Sequence, residues 1–306
     1  NLSEQTGHSG LLGLFHASVP ELMKIHGIGK VKAIQLKCIG ELSKRMATAA
    51  AKPELSFQHP VTIAKYYMEQ LAGGTDDYAV YAPSPFSPEN RLIMIGRDVS
   101  TKYTRRGPAE YKKIAGYIID FISAKIGNYL IFFSSYKMID DVLPFVEENL
   151  DFEPDIYIQS SSMNEQQREE FLNNFKENPT KTTLGFCVMG GIFGEGIDLK
   201  ENRLIGAIIV GTGLPMVCNE NELFKDYFDR EDKPGFDYSY RYPGMNKVLQ
   251  SAGRVIRTDT DRGAILLLDE RFTQASYQKL FPNEWYPYEV VTKNSMRKLV
   301  EEFWKD

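Results

Sequence analysis

A mainly parallel α/β sheet with helices on both faces, preceded by a small all-α module, is the fold class that this 306-residue sequence predicts. Three observations carry it. From Asp76 onward, short apolar runs alternate with helical patterns, and most of those runs are rich in β-branched or aromatic residues, as doubly buried strands are. Before Asp76 the apolar residues recur instead at three- and four-residue spacings. The charge divides in the same place: residues 1–72 hold eight Lys/Arg and five Glu, whereas the remainder holds 28 basic and 36 acidic residues. The segments are therefore net +3 and net −8, within a chain of net −5. Such a balance argues against a protein that coats nucleic acid through bulk charge.

In the first module, residues 1–52 read as short helices. Leu22, Ile25, Ile28, Val31, Ile34, Leu36, Ile39, Leu42 and Met46 supply the helical period, broken once by Gly27-Ile28-Gly29. Ser18, with Glu21 three residues on and Pro20 in the first turn, forms a capping-box start. Residues 53–75 read as a linker and a helix over Val61–Leu71, stopped by Gly73-Gly74. In the second module, residues 76–306, strands are expected at Leu92–Ile95, Tyr129–Phe133, Ile156–Ile158, Leu184–Met189, Leu204–Val210 and Ala264–Leu268. Helices are expected at Tyr111–Ala124, Lys137–Asn149, Asn164–Glu177, Glu220–Phe228 and Met245–Arg257, with a charged solvated loop over Asp229–Asp237.

Cys38, Cys187 and Cys218 are widely spaced without a C-x-x-C, which excludes a disulfide framework and a cysteine-built zinc or iron–sulfur site. No apolar run approaches membrane-spanning length, and the opening NLSEQTGHSG lacks the basic and apolar regions of a signal peptide. The expected compartment is the reducing cytoplasm, without a membrane partner.

Four strings carry candidate chemistry. The Gly27–Gly29 turn can present backbone N–H groups to a phosphate, with Lys30 and Lys32 adding charge, or it can merely turn and cap a helical hairpin. Ser134 and Ser135 follow an apolar strand; they can cap the next helix or donate to a nucleic-acid phosphate. Gly190–Asp198 is a glycine-rich string directly after a strand. It can be a simple turn, or a ligand loop of the kind α/β sheets place there, whose glycines, Gly196 among them, allow close backbone approach while Glu195 and Asp198 accept hydrogen bonds or orient a water or cation. Gln250, Arg254 and Arg257 stand at i, i+4 and i+7 of an expected helix, one polar stripe that can clamp a phosphate or merely make surface ion pairs on an amphipathic helix, and Gly253 implies close approach by something.

GLLGLFHASVPELMKIHGIGKVKAIQLKCIGELSKRM resembles the helix-hairpin-helix segment at the start of RadC-family proteins, and FQHPVTIAKYYMEQL resembles the opening of that family's second domain. The H-x-H and Asp that would bind zinc there are absent, since the histidines are His8, His16, His26 and His59. Residues 76–306 resemble the second motor domain of the DinG/XPD-type superfamily-two DNA helicases: Ser134–Tyr136 matches motif IV, Gly191–Asp198 motif V and Gln250–Arg257 motif VI. SPFSPENRLIMIGRDVSTKYTRR and ILLLDERF are similar to that family's flanking sequence.

The second resemblance implies a RecA-like fold. It implies that Arg254 and Arg257 are arginine fingers, that Gln250 contacts a γ-phosphate, and that Glu195, Gly196, Asp198 and Gly253 couple nucleotide state to DNA grip. Ser134 and Ser135 would touch a single strand, and Gly27, Gly29, Lys30 and Lys32 a duplex backbone. In that family ATP and Mg²⁺ sit on a first motor domain bearing G-x-x-x-x-G-K-[ST], an Asp-Glu pair and, in this branch, an iron–sulfur cluster. The P-loop is missing, because the one Gly-Lys pair, Gly29-Lys30, precedes Val31, and three cysteines cannot supply the cluster. The one Asp-Glu pair, Asp269-Glu270, falls in the string that is similar to the second motor domain's flank, so none of the first domain's parts is recognised here. The expected function is therefore DNA binding in repair or recombination by the ATP-sensing half of a helicase, inactive alone and completed by a first motor domain in trans. The alternatives are a non-enzymatic DNA-binding adaptor, or a RadC–helicase fusion without joint physiological meaning.

Overall fold

The structure is a computed structural model, and it describes residues 18–25, 28–37, 86–193, 199, 201–258 and 260–305. The chain divides into two compact units at Val80/Tyr81. The linker and the helix expected at Val61–Leu71 lie outside the described residues.

In the first unit, helix α1 (Val19–Met23) begins as its capping pattern predicts: the Glu21 carboxylate accepts from the Ser18 N–H at 2.6 Å and from Ser18 Oγ at 2.7 Å. Helix α2 (30–37) starts where the Gly29 carbonyl accepts from Ala33 N at 3.0 Å. Leu22 and Ala33 are fully buried against Val19, Ile25, Ile28 and Leu36, so the three- and four-residue spacing does define an apolar seam.

The second unit is a seven-stranded sheet in the order β3-β4-β2-β5-β6-β1-β7, parallel throughout. Its strands are β1 (Arg91–Gly96), β2 (Asn128–Phe133), β3 (Asp155–Ile158), β4 (Thr183–Val188), β5 (Gly206–Val210), β6 (Gly263–Leu268) and β7 (Glu289–Val291). Crossovers run through α3 (Pro108–Ile122), α4 (Tyr136–Asn149), α5 (Glu165–Asn173), α6 (Asn219–Arg230), α7 (Tyr242–Ala252) and α8 (Ala275–Gln278), and α9 (Lys293–Phe303) follows β7.

Alternation along each strand feeds two cores. Tyr129, Ile131 and Phe133 of β2 pack with Ile114, Ile118 and Phe121 of α3, Val142 and Val146 of α4, and Met296 and Val300 of α9. Leu130 and Phe132 face the other way, toward Phe171 of α5 and Met245, Val248 and Ala252 of α7. Burying such apolar surface at about 25 cal/mol per Å² is the main force holding the layers together.

Four sequence expectations need correction. β3 is an edge strand whose residues are half-exposed or exposed, so it is not buried on both faces. The solvated loop expected at Asp229–Asp237 is shorter: α6 runs to Arg230, and a π-helical segment, Asp237–Arg241, leads straight into α7. Asp229 folds this corner by accepting from the Gly235 N–H at 2.9 Å. The helix expected at Asn164–Glu177 ends at Asn173, and that expected at Met245–Arg257 ends at Ala252. β7 and α9 were not foreseen at all.

Candidate functional site

The loops that leave the C-terminal ends of the strands carry Ser134 and Ser135 and the start of the glycine turn at Gly190. β2 ends at Phe133 and delivers Ser134 and Ser135. Ser135 is extended, and its Oγ accepts from Met138 N at 3.2 Å, so it caps α4. Ser134 is half-buried beside it at the strand end.

The next loop contributes a residue that the sequence did not reveal. Gln159, directly after β3, is 3% exposed. Its Oε1 accepts from Val188 N at 2.9 Å, and its Nε2 donates to the Tyr136 hydroxyl at 3.0 Å. One buried amide thus ties the first turn of α4 to the start of the glycine turn after β4. A Cβ on Gly191 would lie 2.8 Å from that Nε2, which explains the glycine there. Gly190 has φ +70°, and the Lys247 side chain from α7 lies 3.1 Å from where its Cβ would be. Burial lowers the Lys247 ammonium pKa. Glu195, Gly196 and Asp198 lie outside the described residues.

The arginine string is placed differently from the expectation. Gln250 is an exposed residue of α7, but Arg254 and Arg257 lie beyond the helix, so the three do not form one helical stripe. Two causes are visible. Gly253 is the helix C-cap, its N–H donating to Leu249 O at 2.9 Å, and a Cβ there would meet that same carbonyl at 3.2 Å. The glycine therefore ends the helix. Asp261, 4% exposed, then accepts from Arg257 N at 2.6 Å, Thr258 N at 2.8 Å and Thr258 Oγ1 at 2.7 Å, which pulls the chain into a loop.

Arg254 and Arg257 are both half-buried on that loop. Between them Val255 is buried against Gly263, the first residue of β6. The arginines consequently stand near the N-terminal ends of the strands, and Ser134, Ser135, Gly190 and Gly191 at the C-terminal ends. Helix α7 runs between the two groups.

A further cluster lies on the C-terminal edge. Asp269, fully buried just after β6, accepts from Thr101 N at 2.8 Å and Thr101 Oγ1 at 2.7 Å. It also accepts from Arg271 Nε at 2.7 Å and Arg271 Nη2 at 2.8 Å. Burial pushes the Asp269 pKa up, but the hydrogen bonds and charge of Arg271, with the Thr101 hydroxyl, outweigh it and hold the carboxyl below its ordinary value. The D-E-R that follows the last strong apolar run was the sequence signal for this cluster. Among the described residues, no group of three or more His, Cys, Asp or Glu side chains is placed to hold a metal ion. None of the described helices is long and apolar enough to cross a membrane.

A wholly parallel sheet, covered by helices on both faces and presenting its loops at the strand ends, defines a RecA-like α/β domain. Residues 118–288 match the family described as the helicase C-terminal domain, and the chain belongs to that family. It is 26% identical over 196 residues to the 3'-5' exonuclease DinG of Staphylococcus saprophyticus, covering 64% of this chain and 21% of that protein. It is 23% identical over 227 residues to a probable ATP-dependent helicase of Methanocaldococcus jannaschii, covering 69% and 34% respectively. The chain thus spans only a fifth to a third of these relatives. Among solved structures it is similar in fold to an XPD helicase, with TM-score 0.51 and 23% identity over 62% of this chain and 33% of that one. A second XPD structure, the apo form, gives TM-score 0.53 and 21% identity over 66% and 40%.

Proposed function

We propose that this chain works in DNA repair or recombination as the second motor domain of an ATP-dependent DNA helicase. It grips a single strand at the C-terminal edge of the sheet and completes a nucleotide pocket with Arg254 and Arg257. The observation that carries this reading is the span of α7. Midway along it Lys247 lies across the Gly190 turn, and its last turn carries Gln250 and leads into the Arg254–Arg257 loop. A rigid helix joining a strand-gripping edge to a phosphate-sensing loop suits a domain whose closure depends on nucleotide state.

In this reading ATP and Mg²⁺ are held by a complementary first motor domain, with no iron–sulfur cluster in this chain. The guanidiniums meet charge developing on the transferred phosphoryl group, and Gln250 contacts the γ-phosphate. Glu195, Gly196 and Asp198, with Gly253 at the end of α7, couple that state to the Ser134–Ser135 contact with the strand. The first unit, whose sequence resembles the RadC hairpin, adds a duplex-backbone contact. Gly29 begins α2 there, Lys30 and Lys32 are exposed in its first turn, and Gly27 lies outside the described residues.

The test is complementation. Mixing the chain with an isolated first motor domain of a DinG-type helicase should produce DNA-stimulated ATP hydrolysis that neither part shows alone. Arg254→Ala should reduce that rate by about 10³-fold or more, the range of a lost arginine finger. Silence of the mixture, with DNA binding intact, would support the non-enzymatic adaptor instead.

A further inference from the structure

The segment 97–113 holds six cations against two carboxylates, inside a half of the chain that is net negative. It contains the loop between β1 and α3, on the same sheet edge as Ser134 and Gly190. At its tip Tyr103 is 85% exposed, a large ring left in water, with the Arg106 guanidinium 5.8 Å from the ring centre. The loop is nevertheless firmly built. Thr101 is held by buried Asp269, and Ser100 N donates to the buried Glu110 carboxylate at 2.6 Å. Glu270 fixes Lys102 at 2.8 Å, and Glu110 and Glu270 lie 3.4 and 3.8 Å from Arg105.

We propose that this loop is a base-stacking platform for single-stranded nucleic acid, with the Tyr103 ring stacking on a base and Arg105 and Arg106 contacting the flanking phosphates. The proposal rests on the helicase reading above and extends its strand path along the sheet edge. β4, β2, β5, β6 and β1 are consecutive neighbours. At about 4.8 Å per strand, the Gly190 turn and the Tyr103 loop stand roughly 19 Å apart, a span that a few nucleotides cover. An aromatic face tolerates any base, and preorganised guanidiniums lose little freedom on binding a phosphate. The local cation excess on an otherwise acidic surface favours a polyanion over a protein partner at this tip.

The test uses the whole chain and the oligonucleotide dT20. Tyr103→Trp places an exposed indole at the tip, apart from the buried Trp285 and the distant Trp304; dT20 should quench its fluorescence. Tyr103→Ala should weaken dT20 binding about 5- to 100-fold at low salt, in line with one lost stacking contact. Arg105→Ala combined with Arg106→Ala should lower the log–log salt slope by about 1.4, two single-strand phosphate contacts. If dT20 binds the unmodified chain while the quench is absent and Tyr103→Ala binds equally well, the platform is refuted, the helicase reading survives, and the tip is left as a protein contact. If dT20 fails to bind the unmodified chain at low salt, the platform is refuted as well, and the helicase reading stands or falls with the complementation assay. Because Tyr103 is solvent-facing, an unchanged far-UV spectrum should accompany each Tyr103 variant.

Discussion

Asp269 adds side-chain bonds where three segments already meet through their backbones: the end of β6, the loop after β1, whose Val99 O accepts from Glu270 N at 2.8 Å, and the short turn that holds Arg271. Its two oxygens accept from Thr101 N and Oγ1 and from Arg271 N, Nε and Nη2. Because its folded pKa lies below the unfolded value of about 4, its contribution is complete above that value and disappears as pH falls through the folded one. Replacing Asp269 by Asn keeps the shape but leaves the largely buried Arg271 without its counter-charge. Asp269→Asn should therefore cost about 3–5 kcal/mol at pH 7, the range for breaking a buried ion pair. Urea unfolding at a series of pH values checks both points. The gap between parent and variant should narrow as the solution is acidified, and a gap that stays constant to pH 3 would mean the carboxylate charge is not what stabilises this corner.

At the level of elements, α7 is seated by two backbones in direct apposition. A Cβ on Gly244 would lie 2.6 Å from Thr212 O, and one on Gly213, where φ is +65°, would lie 2.7 Å from Gly244 O. Neither obstacle is a flexible side-chain tip, so the helix itself must move to admit a methyl group. Gly244→Ala should destabilise the domain by about 1–3 kcal/mol, the usual cost of overpacking, seen as a lower urea midpoint with an unchanged slope. This seat was not legible beforehand, because two glycines 31 residues apart in sequence announce nothing about meeting. The strands were legible, since runs such as Tyr129–Phe133 can be buried on both faces only inside a sheet. β7 was not, because three residues, two of them exposed, carry no period. α9 did leave a signal: Met296, Leu299, Val300 and Phe303 repeat at helical spacing behind a Thr292–Ser295 cap. The site was half visible. Ser134 and Gly190 announced themselves as strand-end strings, whereas Gln159, which ties the neighbouring Tyr136 hydroxyl to Val188 N, is a single amide with no pattern around it. The end of α7 misled because an i, i+4, i+7 match counts side chains and overlooks a glycine cap and the pull of Asp261.

For the whole molecule, charge separates the tasks of the two units. The larger unit is acidic, so any nucleic acid it holds must be bound by local features, namely the Tyr103 tip and the strand-end loops, and not by its average field. The first unit belongs to the basic segment and exposes Lys30 and Lys32 at the start of α2, where backbone dipoles add to their charge. Duplex affinity should accordingly reside in the first unit and single-strand affinity in the second. Lys30→Glu combined with Lys32→Glu should weaken duplex binding at least tenfold, and the parent's log–log salt slope should be shallow, about one to three, because a single turn reaches few phosphates. The same double variant, introduced beside Tyr103→Trp, should leave dT20 quenching intact. Fluorescence anisotropy with a short duplex, run alongside the quenching titration, separates the two. Unchanged duplex affinity would make the hairpin purely structural, and loss of both signals together would mean that the units do not bind their strands independently.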